Sequence, residues 1–121
     1  MPPRIARLYC ATLNTFRGLS HALRTEAALR EECALLVIAL PLGLVVAPST
    51  AWYVALIGVV LLILTVELLN TGLEKLADHV TPEWNHEIGI VKDIGSAAVF
   101  CALLLGILVW GAALVLRLGL L

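Results

Sequence analysis

Residues 51–78 read AWYVALIGVVLLILTVELLNTGLEKLAD, and this stretch decides the fold of the chain. Its first 16 positions are uncharged and complete a run of 34 uncharged residues that starts at position 33. Four polar side chains follow at steps of 3, 4 and 4, and on an α-helix they share an arc of about 80°: Glu67, Asn70, Glu74 and Asp78. The stretch predicts an apolar helix with an acidic face at a membrane boundary, where ionised groups are costly and usually functional.

The composition is typical of an integral membrane protein. The chain has 121 residues, of which 61% are hydrophobic and 14% charged, and its mean hydropathy is +1.01. A soluble domain has about 45–50% apolar and about 25% charged residues. Hydropathy and periodicity therefore predict an all-α membrane protein with a single domain, residues 1–121. The predicted elements are a surface helix at about 4–25 and membrane spans at about 28–47, 51–79 and 89–117.

The basic residues indicate how these spans are oriented. Five arginines lie before or at the start of the first span, the connection around Pro48 is uncharged, and Lys75 and Lys92 flank the connection between spans two and three. The positive-inside rule therefore predicts a cytoplasmic N-terminus, a cytoplasmic connection at 75–93 and a C-terminus outside. Burial in a bilayer argues against nucleic acid as a partner.

Shorter patterns predict local features. Apolar residues repeat at steps of 3 and 4 over residues 4–23 opposite a basic arc, which predicts an amphipathic helix on the inner leaflet. Thr81 and Pro82 are typical of a helix N-cap and first helical position. The three cysteines form no CxxC pair and are interpreted as small hydrophobic residues. Small residues at steps of four in the third span predict a stripe for close helix packing: Ala98, Ala102 and Gly106.

All nine acidic residues of the chain fall on the predicted cytoplasmic side, with lysines and arginines near them. Carboxylates on different helices, with a Lys and an Arg, supply the metal ligands and cations that phosphoryl transfer from a Mg²⁺-bound nucleotide requires. A further carboxylate at the apolar boundary can accept a proton from a lipid hydroxyl, and Glu67 fits this position best. The sequence contains no P-loop and no G-x-G-x-x-G motif. Three spans enclose little interior, so such a site predicts a homo-oligomer.

Two motifs carry a resemblance to a known family. They are residues 67–74, ELLNTGLE, followed by Asp78, and residues 92–99, KDIGSAAV. With residues 16–18 (FRG) and 26–32 (EAALREE), they resemble the prokaryotic diacylglycerol kinases, small trimeric membrane kinases unrelated to soluble kinases. The resemblance matches the three-span layout and covers essentially the whole chain.

The resemblance implies ATP-dependent phosphorylation of a membrane lipid alcohol by a homotrimer, at the cytoplasmic interface of a bacterial inner membrane. With diacylglycerol the product would be phosphatidic acid. It implies that Glu67 is the general base on the acceptor hydroxyl and that Glu26 and Glu74 bind the Mg²⁺ bridging the nucleotide phosphates. The residues it implies in ATP binding are Arg7, Asn14, Glu26, Asn70, Glu74, Glu83, Trp84, Asn85, Lys92 and Asp93. Those it implies at the lipid are Arg7, Glu67, Ser96 and Trp110.

The chain departs from the family pattern at two places. Asn14 stands where the family often has an aromatic residue, so it offers no ring for stacking on a base. The family's Glu-aromatic-His run appears here at residues 83–86 as EWNH, so either Asn85 or His86 takes the place of the histidine. Neither departure touches the implied base or metal ligands.

Three other functions remain open from the sequence. A polyprenol kinase that phosphorylates undecaprenol shares the resemblance, although the Gly95-Ser96 pair looks more like the diacylglycerol-specific members. A small transporter or proton-relay subunit also carries a lone intramembrane acid, but usually near the midplane and with more spans. A non-catalytic assembly factor is the third. Neither of the last two should bind a nucleotide with Mg²⁺.

Overall fold

The computed structural model describes residues 2–121 and consists of α-helices joined by short links. They are α1 (Pro3–Thr25), α2 (Ala27–Val46), α3 (Thr50–Val80) and α4 (His86–Arg117). Within this part of the chain there is no strand, which confirms the prediction of an all-α protein. Each helix begins within three residues of its expected start and ends within one residue of its expected end.

Helix α1 is amphipathic and ends where the chain turns into α2. Pro3 occupies its first turn, where a missing N–H costs nothing, and Glu26 stops it with extended backbone angles of φ −112° and ψ 115°. Only Ala22, near its C-terminal end, is buried. Large apolar side chains such as Leu8 and Phe16 stay more than 60% exposed. An exposed apolar face of this kind is what a helix on a membrane surface presents to lipid.

Helix α3 is the centre of the molecule, packing most extensively against α4 and next against α2. The face that α4 turns inward consists of small residues, which let the two backbones come close: Gly95, Ala102, Gly106 and Ala113. Ala102 and Gly106 belong to the predicted stripe, but Ala98 is exposed. The stripe predicted at steps of four is therefore partly wrong, because the buried positions are spaced by 7, 4 and 7 residues.

Within residues 2–121, two helices are long and apolar enough to cross a membrane: an 18-residue stretch has a mean hydropathy of 2.4 in α3 and 2.7 in α4. At about 1.5 Å per residue they are about 46 and 48 Å long, so their ends extend beyond a hydrocarbon core of about 30 Å. Helix α2, the first predicted span, has 20 residues and carries three charges near its start: Arg30, Glu31 and Glu32. Large apolar side chains point outward from all three helices, as lipid-facing surfaces do.

The link between α3 and α4 differs from its prediction. Helix α4 begins at His86, and its N-cap is Asn85, whose Oδ1 accepts a hydrogen bond from the Ile88 amide at 3.2 Å. The prediction that Thr81 caps a helix starting at Pro82 is wrong. Thr81 instead closes α3, because its amide donates to the Ala77 carbonyl at 3.1 Å while its own backbone is extended. Residues 81–85 therefore form a short link before α4.

Candidate active site

The acidic face of α3 is partly buried where α3 meets α4. Asn70 is 9% exposed, and its Nδ2 donates a hydrogen bond to Glu74 Oε1 at 3.3 Å, one turn along the same face. Glu67 and Glu74 are half-buried. Hydrogen bonds between side chains stabilise a partly buried polar face, because burying an unpaired polar group costs free energy. The structure thus places the three residues together on one side of the helix.

Gly95 of α4 lies directly against Asn70. A Cβ atom at position 95 would come within 2.2 Å of Asn70 Oδ1, far inside contact distance. That oxygen is buried and accepts no hydrogen bond from residues 2–121. Ser96 follows on the exposed side of α4. The absence of a side chain at position 95 is what allows the polar face of α3 to sit against α4.

Glu26 reaches α3 from the link between α1 and α2. It is at once the C-cap of α1, with its amide donating to the Ala22 carbonyl at 2.8 Å, and the N-cap position of α2. From there its Oε1 forms an ion pair with Lys75 Nζ of α3 at 3.1 Å. The chain therefore brings a carboxylate implied in metal binding onto α3, 49 positions along the sequence from its partner.

Arg30 secures this link. The last carbonyls of a helix have no partner within the helix. Arg30 Nη1 donates to two of them at the end of α1, to Leu23 at 3.0 Å and to Arg24 at 3.3 Å. Because Arg30 sits one turn into α2, these bonds tie the end of one helix to the start of the next. They hold Glu26, which lies between them, at the corner.

The contacts of Glu26 in the link between α1 and α2 also determine its ionisation state. The hydrogen bond from Lys75 lowers the pKa of the Glu26 carboxyl below its ordinary value, with smaller help from the Thr25 hydroxyl and the charges of Lys75 and His21. Partial desolvation acts the other way and is outweighed. Glu26 is therefore an ionised carboxylate at neutral pH, the form that a divalent cation binds.

Carboxylates of α2, α3 and the α1–α2 link lie within electrostatic range of one another. The negative charges of Glu74 and Glu26 act on Glu67, and the charge of Glu67 acts on Glu32 of α2. Glu32 was not among the predicted site residues. A signal for it existed, because Glu32 and Glu67 are the charged residues at the two ends of the uncharged run 33–66. A hairpin of two spans returns both ends of such a run to one membrane boundary.

A groove runs between α2, α3 and α4 beside this cluster. Its volume is about 290 Å³, and Glu32 is the one charged residue among the described residues that line it. Ile63 and Trp110 line its apolar part. The Trp110 indole donates from Nε1 to the Leu56 carbonyl of α3 at 3.2 Å, so the ring lines the groove with its polar atom satisfied.

Lys92 of α4 is paired with Asp78, the last acid of the α3 face. Both side chains are substantially exposed. The pair ties the extramembrane ends of the two long helices together at the point where the predicted phosphate contacts would lie. Asp93 is adjacent and exposed.

The remaining predicted nucleotide residues stand apart from this cluster. Arg7 and Asn14 lie on the exposed surface of α1, where Asn14 Oδ1 accepts a hydrogen bond from Arg17. Among residues 2–121, no hydrogen bond or ion pair joins either of them to α3. In the link before α4, Glu83 is exposed and Trp84 is 88% exposed. The Asn85 side chain is used as a helix cap, which leaves the imidazole of the neighbouring His86 beside the Trp84 ring, with centroids 6.3 Å apart.

The donor set can be tested against Mg²⁺, the metal that the resemblance implies. Within the described part of the chain, no group of three or more His, Cys, Asp or Glu side chains forms a metal cage. Mg²⁺ is usually held by one or two carboxylates, with the substrate phosphates and water completing its shell. Glu26 and Glu74 supply two such carboxylates near Glu67. The residues therefore fit a Mg²⁺ ion whose remaining ligands are water or nucleotide phosphates.

Comparison with known proteins gives this arrangement a family. The sequence profile described as prokaryotic diacylglycerol kinase matches residues 13–114. A diacylglycerol kinase of Haemophilus influenzae is 36% identical over 110 residues, which cover 91% of this chain and 93% of the relative. A diacylglycerol kinase of Pseudomonas aeruginosa is 36% identical over 110 residues, which cover 91% of this chain and 89% of the relative. One from Escherichia coli K12 is 32% identical over 104 residues, which cover 86% of this chain and 85% of the relative.

These matches and the helical architecture define a membrane protein that phosphorylates lipid. The chain belongs to the prokaryotic diacylglycerol kinase family. The resemblance first carried by residues 67–74 and 92–99 is thereby confirmed, and with it the assignment of the chain as an enzyme, a phosphotransferase with an alcohol acceptor. Membership implies that a nucleotide is the phosphoryl donor.

Proposed function

We propose that this chain transfers the γ-phosphoryl group of ATP to the hydroxyl of diacylglycerol, giving phosphatidic acid at the cytoplasmic face of a bacterial inner membrane. The observation that carries the proposal is the convergence of Glu67, Glu74 and Glu26, from α3 and the α1–α2 link, beside an apolar groove. Such a site meets a water-soluble nucleotide on one side and a lipid on the other.

Glu67 is the general base in this proposal. It lies closer to the apolar part of α3 than the other acids of the face, so it is the carboxylate nearest to the hydroxyl of a lipid held in the groove. It takes the hydroxyl proton while the hydroxyl oxygen bonds to the γ-phosphorus. The bond from that phosphorus to the β–γ bridging oxygen breaks in line, and ADP leaves. Transfer is direct, with no phosphorylated enzyme. Asn70 holds its neighbours on the face in position through its hydrogen bond to Glu74.

Glu26 and Glu74 would hold the Mg²⁺ of the nucleotide. The bound ion would supply positive charge to offset the charge of the phosphates. Lys92 supplies a cation for the charge that develops on the transferred phosphoryl group. To do so, its ammonium group leaves Asp78 and pairs with the phosphate instead. Asp93 and residues 83–85 lie on the same side of the membrane and contribute to the nucleotide seat.

The site is completed in a homotrimer. Arg7 and Asn14 are exposed on α1 and are not joined to the acidic face of their own chain by a hydrogen bond or ion pair among the described residues. Neighbouring subunits supply the α1 contacts to the nucleotide and lipid. In this arrangement α2 crosses the membrane as well as α3 and α4, the N-terminus is cytoplasmic and the C-terminus lies outside.

The acceptor is diacylglycerol rather than undecaprenol. Three relatives that match most of the chain carry the name diacylglycerol kinase, and this supports the assignment. Ser96 lies beside the lipid head, next to Gly95, and Trp110 lines the groove for an acyl chain.

The experiment is radiolabelled phosphate transfer from ATP to a lipid panel. Purified protein in mixed micelles receives diacylglycerol or undecaprenol at equal surface fraction, with a Glu67→Gln protein as the background. Labelled phosphatidic acid with little labelled undecaprenyl phosphate is the expected result. Preferential labelling of undecaprenol would reverse the acceptor assignment, and no transfer to any lipid would leave the transporter and assembly-factor functions.

A further inference from the structure

Gly95 and Asn70 lie so close together that position 95 has no room for a side chain. Besides the 2.2 Å approach to Asn70 Oδ1, a Cβ atom at position 95 would lie 3.1 Å from Leu73 Cδ2. The atom that such a Cβ would strike first is therefore the end of a polar side chain in the proposed site. Four other glycines of the long helices meet nothing within 4 Å: Gly58, Gly72, Gly89 and Gly111.

The contact fixes which way the Asn70 amide points. A carboxylate only accepts hydrogen bonds, so the amide must turn its NH₂ group toward Glu74. Its oxygen then points away from Glu74 and lies against the backbone of α4 at Gly95. The Asn70 oxygen lies against α4 and the Asn70 nitrogen faces Glu74, so the amide has one orientation. The Glu74 carboxylate therefore accepts its hydrogen bond from a donor in a fixed position.

We infer that Gly95 is a positioning residue for the metal carboxylate Glu74, acting through the orientation of the Asn70 amide. The inference rests on the proposed role of Glu74 in holding Mg²⁺. It makes the close approach of α4 part of the metal site, although Gly95 itself contacts neither metal nor nucleotide. Removing a group that orients a metal ligand typically weakens metal affinity by about 10- to 100-fold.

A matched control exists on the same helix. A Cβ atom at Gly106 would lie 2.8 Å from Ile63 Cδ1, the flexible end of an apolar side chain on α3. Gly95→Ala and Gly106→Ala therefore add the same methyl group to the same helix interface. The first displaces the Asn70 amide from Glu74, whereas the second displaces only a methyl group of Ile63.

The test measures binding of Mn²⁺ alone to the full-length chain in detergent micelles, from the electron paramagnetic resonance signal of free Mn²⁺. Mn²⁺ takes the same oxygen ligands as Mg²⁺. We expect Gly95→Ala to weaken Mn²⁺ affinity about 10-fold or more, and Gly106→Ala to leave it within about 2-fold. Thermal midpoints recorded in parallel should fall by similar amounts in the two variants. Equal loss of Mn²⁺ affinity in both would overturn the inference in favour of simple packing.

A double variant tests whether Gly95 acts through Asn70. We expect Asn70→Ala to weaken Mn²⁺ binding, and Gly95→Ala added to it to weaken binding by no more than about 2-fold further. An undiminished effect of Gly95→Ala in that background would overturn the inference. If Gly95→Ala alone does not fold, the double variant, which removes the clash, should fold and bind Mn²⁺ like Asn70→Ala. Failure of the double variant to fold would show a role independent of Asn70.

A Glu74→Ala protein separates this inference from the proposed function. If Glu74→Ala binds Mn²⁺ as tightly as the unmodified chain, the metal role of Glu74 is wrong and the inference falls with it. If Glu74→Ala loses Mn²⁺ while Gly95→Ala keeps it, the metal role stands and only the role of Gly95 is overturned.

Discussion

The interface between α3 and α4 is polar at one end and apolar at the other, although a glycine of α4 meets α3 at both. At the polar end Gly95 abuts Asn70, and the Lys92–Asp78 pair lies beyond it. At the apolar end Gly106 abuts Ile63. Both glycines let a side chain of α3 lie against the backbone of α4. The two ends differ in the residue that α3 presents to the glycine.

This comparison separates chemistry from packing within one pair of helices. Close approach at Gly106 and the Trp110 hydrogen bond to Leu56 stabilise the pair where the groove is apolar. Close approach at Gly95 orders polar groups that a stable bundle could do without. Substitutions at the polar end should therefore change turnover more than stability, and those at the apolar end should change stability and lipid handling more than nucleotide use.

The largest expected effect is at the polar end, from Glu67→Gln. Glutamine keeps the volume of the side chain and its ability to hydrogen-bond, but it cannot accept the proton of the lipid hydroxyl. We expect kcat to fall about 10²- to 10⁴-fold, the usual contribution of a general base, with the thermal midpoint nearly unchanged. Initial rates of labelled phosphatidic acid formation at saturating ATP measure it.

The matched control is Glu87→Gln, an exposed acid in the first turn of α4 outside the cluster. It removes the same charge from the same side of the membrane and should leave kcat within about 2-fold, as expected for an isolated surface charge. Near-normal turnover by Glu67→Gln would exclude Glu67 as the base. Equal losses in the two variants would indicate a general charge effect instead.

A smaller effect is expected at the apolar end, from Trp110→Phe. Phenylalanine fills much of the same space but cannot donate to the Leu56 carbonyl. The loss of this hydrogen bond should cost about 1 kcal/mol of stability. Because Trp110 lines the groove, the KM for the lipid should rise while the KM for ATP stays the same. Unfolding in detergent and separate titrations of the two substrates measure these changes.

Trp52→Phe is the control for that variant. Trp52 stands at the start of α3, where its amide donates to Ser49 Oγ, and its indole donates no hydrogen bond within residues 2–121. It should retain both stability and lipid KM. If Trp110→Phe instead raised the KM for ATP, the division between a polar and an apolar end would be wrong.

The sequence predicts the fold well because membrane helices are determined by local properties. Uninterrupted apolar runs and charged boundaries place α3 and α4 with little help from tertiary contacts. The start of α4 is the exception. Thr81 and Pro82 look like a helix start, but the Thr81 amide is already used to close α3, and Asn85 provides the cap. Thr81 and Asn85 are both possible N-caps, four residues apart. The sequence does not show which of them is already used to end α3.

The site is predictable along one helix and less so between helices. Helical spacing alone places Glu67, Asn70 and Glu74 on one face, where the structure has them. The contact of Gly95 with Asn70 and that of Glu26 with Lys75 depend on how helices pack, which no spacing rule encodes. Glu32 was missed for a different reason. Its position at the end of the uncharged run was informative and it lies in the 26–32 motif, but the resemblance implied no role for it.

The smallest expected effect is a pH dependence at the polar end, from Lys75→Gln. Lys75 lowers the pKa of Glu26 in the folded chain below its ordinary value of 4.5. A lowered folded pKa gives stability that is present above the ordinary pKa and is lost as the pH falls through the lowered one. Lys75→Gln should therefore lower the thermal midpoint slightly at pH 7. The difference from the unmodified chain should disappear in acid, once Glu26 is protonated in both.

Lys75→Arg sharpens this last prediction, since it keeps the charge at position 75 and should follow the unmodified chain at every pH. Glu26→Gln removes the titrating group, so adding Lys75→Gln to it should produce no pH-dependent difference at all. A difference that persists in acid, or that survives in the Glu26→Gln background, would show that Lys75 stabilises the chain through its aliphatic stem rather than through the carboxylate. In that case the α1–α2 corner would be held by Arg30 alone, and its position on α3 would not depend on charge.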